Sequence, residues 1–186
     1  MKRIALFAAV GAAALFSLPA LAGGFTLTSP GIHAGRTIAK TYVYQGSGCT
    51  GRNVSPALHW SGAPKGTKSF VVTVYDPDAP TGAGWWHWLV ANIPADVHGL
   101  PRGAGDPGGK GMPGSAVQLR NDYGDNAYGG PCPPRGDTPH HYQFKVYALD
   151  VPSLPVNATT PADQLGFMVH MHTLGVAELV GRYGRK

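Results

Sequence analysis

Two runs of the chain are apolar at almost every position. Ser69–Asp76 reads SFVVTVYD and His87–Ile93 reads HWLVANI; both are short, rich in Val, Ile and aromatic side chains, and bounded by turn residues. That combination predicts buried strands. A third run, HHYQFKVYALD at residues 140–150, alternates instead. Tyr142, Phe144, Val146 and Ala148 fall on one face, and His141, Gln143, Lys145, Tyr147 and Leu149 on the other, the period of a strand. Weaker strand signals lie in FTLTS (25–29), TIAKTYVYQ (37–45) and SAVQLRND (115–122).

Towards the C-terminus the period changes. In PADQLGFMVHMHTLGVAELVGRYG (161–184), Leu165, Met168, Val169, His172, Val176 and Leu179 recur at helical spacing. They predict one helix that begins at Pro161-Ala162-Asp163, stops at Gly181 and Gly184, and lays its apolar stripe on a sheet face or edge. Pro101–Gly114 is dominated by Gly and Pro and reads as a long surface loop without a buried face. No internal repeat or domain linker interrupts the pattern. The expected architecture is a mostly antiparallel β-sandwich with long loops and a C-terminal helix.

The first 22 residues stand apart. Lys2 and Arg3 precede an apolar stretch from Ile4 to Leu18, and Ala20-Leu21-Ala22 follows. This is the pattern of a secretory signal peptide, residues 1–22, cleaved before Gly23. Gly11, Ser17 and Pro19 break the run, which is short for a membrane span. Residues 23–186 then form a single domain, expected to be soluble and periplasmic or secreted. The formal net charge of +5 includes Lys2 and Arg3, and the remaining Lys and Arg residues are scattered singly. Such a surplus serves solubility and gives no nucleic-acid footprint. Cys49 and Cys132 are an even pair in an exported chain, each in a Gly/Pro-rich loop, which points to one disulfide with two free thiols as the alternative.

Strand parity places polar groups at the ends of apolar rows. Asp76 shares its face with Phe70, Val72 and Val74; His87 shares parity with Leu89, Ala91 and Ile93; His140 shares its face with Tyr142 and Phe144. Alone, an Asp before Pro is commonly a turn former, and a buried His is commonly packed core. If the three strand ends cluster, however, they crown the core with a small polar pocket. Other chemistries find less support. There is no HExxH, CxxC or GxSxG; His170 and His172 are two residues apart, on opposite sides of a helix; and GAGDPG (103–108) satisfies GxGxxG without a strand-to-helix setting. No enzyme activity, metal or cofactor is expected.

DPDAP (76–80), WWHWLV (85–90) and GGPCPPRGDTPHHYQFKVYALD (129–150) resemble the motifs of the phosphatidylethanolamine-binding protein family, specifically its bacterial, exported, Raf kinase inhibitor-like branch. GRNVSPALHWSGAPKGTKSF (51–70), LRNDYG (119–124) and GFMVHMH (166–172) extend the likeness over nearly the whole of residues 23–186. The resemblance implies a β-sandwich whose rim pocket takes a phosphate-like anion or a phospholipid head group. By position the pocket residues are Asp76, Asp78, Pro80, His87, Gly130, Pro131, His140 and Tyr142. His141 stands where many animal relatives have Arg, which weakens any transfer of their partner specificity.

Two carboxylates repel a phosphate, so the aspartates are expected behind the pocket wall. There they would orient His87 and His140 as imidazolium donors, with Tyr142 O–H and the Gly129-Gly130 backbone N–H groups adding bonds. Affinity would then fall between about pH 5 and 8. The Ala79–Pro80 bond is a candidate for the cis form, which the sequence leaves open. Relatives that bind kinases or transcription factors or inhibit peptidases supply an alternative, an interaction or inhibitor module working outside the pocket. The exposed face of Trp85, Trp86 and Trp88 is a candidate contact for a homodimer, with core packing the expected use of at least one of the three.

Overall fold

The computed structural model describes residues 24–186; the predicted signal peptide lies outside the described residues. Along the chain the strands are β1 (Thr26–Thr28), β2 (Gln45–Gly46), β3 (Cys49–Thr50), β4 (Leu58–Ser61), β5 (Ser69–Asp76), β6 (Trp85–Pro94), β7 (Gly99–Leu100), β8 (Val117–Gln118) and β9 (His140–Leu149). Helix α1 (Ala162–His172) and strand β10 (Thr173–Tyr183) follow. A five-stranded antiparallel sheet runs in the order β10-β9-β5-β6-β8, and a three-stranded sheet in the order β1-β4-β7.

The larger sheet is covered on both faces, which is why β5 and β6 carry nearly unbroken apolar runs. On one face Phe70, Val72, Val74, Val90, Phe144 and Val146 meet Leu27, Leu58, Trp60 and Leu100 of the smaller sheet. On the other, Val71, Leu89, Ala91 and Leu149 meet Leu165 and Val169 of α1. β9 keeps the predicted alternation: Tyr142, Phe144, Val146 and Ala148 are sealed, and the residues between them up to Tyr147 are partly open. Among the described residues no helix is long and apolar enough to cross a membrane.

Three expectations need correction. The predicted 161–184 helix ends at His172, and its second half is the longest strand. Thr173, Val176 and Val180 favour extended backbone, and β10 pairs along β9 so that Leu179 faces Phe144 and Glu178 faces Lys145. Tertiary pairing overrides a helical period there. In TIAKTYVYQ the structure forms a single 3-10 turn at Lys40–Tyr42, and only Gln45 joins a strand. Within Pro101–Gly114, Ala104 is buried in the core, with Gly105 against the Trp88 ring and the Tyr128 Cβ.

A candidate ligand pocket at the sheet rim

At the end of β5 the Asp76 carboxylate is buried and fully engaged. Its Oδ1 accepts the Asp78 backbone N–H at 2.9 Å, and its Oδ2 accepts His140 Nδ1 at 2.7 Å. The first bond closes the turn expected of an Asp before Pro; the second ties that turn to β9 and fixes the His140 ring. His140 Nε2 then points towards Asp137, whose Oδ2 is 3.5 Å away.

His87 reaches the same place by an irregularity. Val74 faces Trp88 and Tyr75 faces Trp86, so His87 is an extra residue with no partner on β5. A bulge puts two consecutive side chains on one side of the strand. His87 therefore leaves the face of its parity mates Leu89 and Ala91 and joins Trp88 over the main core. Its Nδ1 donates to the Gly129 carbonyl at 2.7 Å, and its Nε2, sealed from solvent, has no protein partner. The Tyr142 ring lies between the two imidazoles, 5.1 Å from His87 and 6.5 Å from His140, centroid to centroid. Its hydroxyl is likewise buried and unpartnered, as is the Trp85 indole N–H.

Next to these groups lies a pocket of about 290 Å³ whose wall includes Asp76, Pro80, Trp85, His87, Tyr123 and His140. Ser47, Cys132, Pro133 and Pro134 form its far side. That side is held by the Cys49–Cys132 disulfide and by Arg185, which donates to the carbonyls of Pro133 and Gly48.

Electrostatics change the expected roles. Burial drives the His87 imidazole down to about 4, outweighing the Gly129 carbonyl and the Asp76 charge, which would raise it. His87 is thus neutral between pH 5 and 8 and offers a lone pair on Nε2 where an imidazolium donor was expected. Burial, reinforced by Asp76, pushes the Tyr142 hydroxyl up, so it remains a donor. Partial burial alone would raise Asp78, but the His141 backbone N–H and imidazole outweigh it and hold the carboxyl below its ordinary value.

Of the predicted site residues, Asp76, Pro80, His87 and His140 line the pocket and Tyr142 backs it. Asp78 turns outward, its Oδ2 2.8 Å from His141 Nδ1, while His141 Nε2 accepts from Arg182. His141 thus acts on this region by drawing Asp78 away. Gly130 and Pro131 lie behind the wall. Gly130 N–H donates to Asn53 Oδ1, Gly129 N–H to the His87 carbonyl, and the Pro131 carbonyl accepts from Tyr44, so the two glycine N–H groups are already used. A Cβ on Gly130 would come 2.1 Å from the Tyr42 carbonyl oxygen.

The Ala79–Pro80 bond is trans, as are all described peptide bonds. The three tryptophans also diverge: Trp85 lines this pocket, Trp86 lines a groove on the opposite sheet face, and Trp88 is fully buried. Among the described residues no group of three or more His, Cys, Asp or Glu side chains could hold a metal ion.

Tyr123 belongs to the site and escaped the sequence reading. It stacks on Tyr44 at 3.9 Å, meets the edge of His87 at 5.6 Å, and donates its hydroxyl to the Gly130 carbonyl. It lies in a loop without periodicity, inside the quoted segment LRNDYG.

Comparison with known proteins agrees with this architecture. The family model for phosphatidylethanolamine-binding protein matches residues 28–184. The chain is 50% identical to the UPF0098 protein YbcL of Escherichia coli K12 over 170 residues, which span 91% of this chain and 93% of that one. It is 45% identical to UPF0098 protein YbhB of the same strain over 157 residues, 84% of this chain and 98% of that one. The crystal structure of E. coli YbcL, described as a new member of the mammalian PEBP family, superposes with a TM-score of 0.87 at 51% identity, covering 88% of this chain and all (100%) of that one. A phosphatidylethanolamine-binding protein from Plasmodium vivax shares the fold, with a TM-score of 0.56 at 16% identity over 87% of this chain and 86% of that one. A β-sandwich with this rim, matched over nearly all its described length, places the chain in the phosphatidylethanolamine-binding protein family.

Proposed function

We propose that this is an exported, non-enzymatic binding protein that holds a phosphate-like anion or a phospholipid head group in the rim pocket. The observation that carries the reading is a set of buried polar atoms without protein hydrogen-bond partners at one cavity: Trp85 Nε1 and His87 Nε2 belong to residues of its wall, and Tyr142 Oη to the ring packed behind His87. Leaving such groups unbonded costs about 1–3 kcal/mol each, which a ligand recovers. Two of them donate and one accepts. Inorganic phosphate or a phosphate monoester carrying one proton matches that set, its P–O oxygens taking the donors and its P–OH facing His87 Nε2; a diester head group, which brings no proton, would engage the two donors alone.

Of the two aspartates only Asp76 borders the pocket, and both of its oxygens are turned to donors of the protein. Asp76 is occupied by His140 and the Asp78 N–H, and Asp78 is turned to His141. The partly exposed Asp137 carboxylate, beside His140 Nε2, suits the ammonium end of a head group. Export rests on the leader pattern of residues 1–22, and a periplasmic or secreted location follows from it.

Calorimetry with inorganic phosphate and with phosphoethanolamine tests the proposal on the wild-type chain and on Tyr142→Phe. The substitution removes a hydroxyl with no protein partner, so folding is preserved while affinity falls about fivefold or more. Equal affinity of the two proteins for both compounds, or no binding of either at millimolar concentration, overturns it. Tighter binding of phosphoethanolamine than of phosphate assigns the pocket to a head group; equal binding assigns it to the free anion.

A further inference from the structure

A second cavity, of about 300 Å³, lies on the opposite face of the larger sheet, between α1 and the strands β5, β6, β9 and β10. Its walls are Trp86, Leu89, Tyr147, Leu165 and Val169, and it contains no Lys, Arg, Asp or Glu; His170 stands at the rim. Its volume is at the low end of the roughly 300–1,000 Å³ typical of small-molecule sites.

Two features are not explained by packing. The first is Thr73, the single hydroxyl in the run Phe70–Val74. It lines the cavity, is 4% exposed, and its Oγ1 has no hydrogen-bond partner. Valine has the same shape and would suit a covered central strand better. One rotation about χ1 exchanges Oγ1 with the methyl, so either can be turned to the cavity. The second is Gly166, in the middle of α1 and also lining the cavity, where a Cβ would meet no atom within 4 Å. Glycine inside a helix costs about 0.5–1 kcal/mol relative to alanine, and here no close approach demands it. What it does is leave the mouth of the groove clear.

We infer that this groove is a second binding site, for a small uncharged molecule with an apolar body and one hydrogen-bonding oxygen that pairs with Thr73. The apolar walls take the body. The absence of a formal charge among them disfavours an ion, whose desolvation nothing there offsets. The site is separate from the rim pocket and independent of what that pocket binds.

1-Octanol, with octanoate as its charged counterpart of equal chain length, is the probe. Backbone amide shifts are followed on the purified chain, on Thr73→Val and on Gly166→Phe, with thermal melts as the check on folding. Both variants keep the fold, since Val matches Thr in shape and a side chain at 166 extends into open space. The expected result is saturable shifts at Thr73, Leu165 and Val169 with octanol and at least tenfold weaker binding of octanoate. Thr73→Val lowers the octanol affinity about fivefold, and Gly166→Phe abolishes the shifts. Shifts that are absent, that persist in Gly166→Phe, or that keep their midpoint in Thr73→Val overturn the assignment. So does wild-type self-association in sedimentation that Gly166→Phe removes, which would make the groove a seat for a second copy of the chain.

Discussion

His140 Nδ1 lies 2.7 Å from Asp76 Oδ2, with both side chains only 4% exposed. The pair joins the end of β5 to the start of β9, and it sets the direction of His140 Nε2. Because the other Asp76 oxygen accepts the Asp78 N–H, the carboxylate has two obligatory donors. Asp76→Asn supplies one oxygen for both, so one buried donor loses its partner. The expected loss is about 1–3 kcal/mol, read as a lower urea midpoint with an unchanged slope. An unchanged midpoint at pH 7 would show that the pair carries no stability.

His87 leads to a prediction about anion selectivity. With Nδ1 committed to Gly129 and the ring neutral at pH 7, Nε2 repels any anion that lacks a proton. Phosphate can bring one; sulfate cannot. Phosphate is therefore expected to bind about tenfold or more tightly than sulfate at pH 7, and the gap should close as pH falls towards about 4, where the imidazole acquires its own proton. Calorimetric titrations of both anions at several pH values decide this, and equal affinities at pH 7 contradict it.

The site was legible where periodicity holds. Asp76, His140 and Tyr142 sit at the predicted ends and faces because β5 and β9 alternate without interruption at the rim. Period-two counting assigns His87 to the side of Leu89, and only the bulge opposite Val74 and Tyr75 turns it over the core. No local signal marks that extra residue. Tyr123 and Asn53 act from loops, where side-chain direction is set by distant contacts; Asn53, at φ 50°, clasps Tyr128 and Gly130 through its amide. The strand half of the predicted helix was hidden because Val176 and Leu179 fit a helical stripe as well as a sheet edge. The short strand LHWS already alternates, Leu58 and Trp60 in and His59 and Ser61 out, over too few residues to stand out.

The Cys49–Cys132 bond closes a loop of sequence separation 83. Restricting a loop of that length in the unfolded chain contributes about 4–5 kcal/mol in the chain-entropy picture. The Cys49→Ser/Cys132→Ser double variant should lose stability of that order in urea denaturation. Since Cys132 and Ser47 form one side of the rim pocket, the variant should also bind phosphate more weakly even at temperatures where it is fully folded. Full affinity in the folded double variant would show that Arg185 alone holds that wall.

The buried imidazole also sets an acid limit on stability. The His87 value falls from an ordinary 6.5 to about 4 in the folded protein, so between those values the unfolded chain binds the proton and the native chain does not. Stability from this group is complete above pH 6.5 and declines as pH falls, until the folded ring protonates near pH 4. The full difference is on the order of 3 kcal/mol. His87→Asn keeps a donor for the Gly129 carbonyl and removes the titration. Its stability should therefore vary less than that of the wild type between pH 6.5 and 4, by about that amount. Parallel stability curves for the two proteins across the window would mean that the native His87 titrates at its ordinary value, and that the pocket meets its anion with a cation below about pH 6.5.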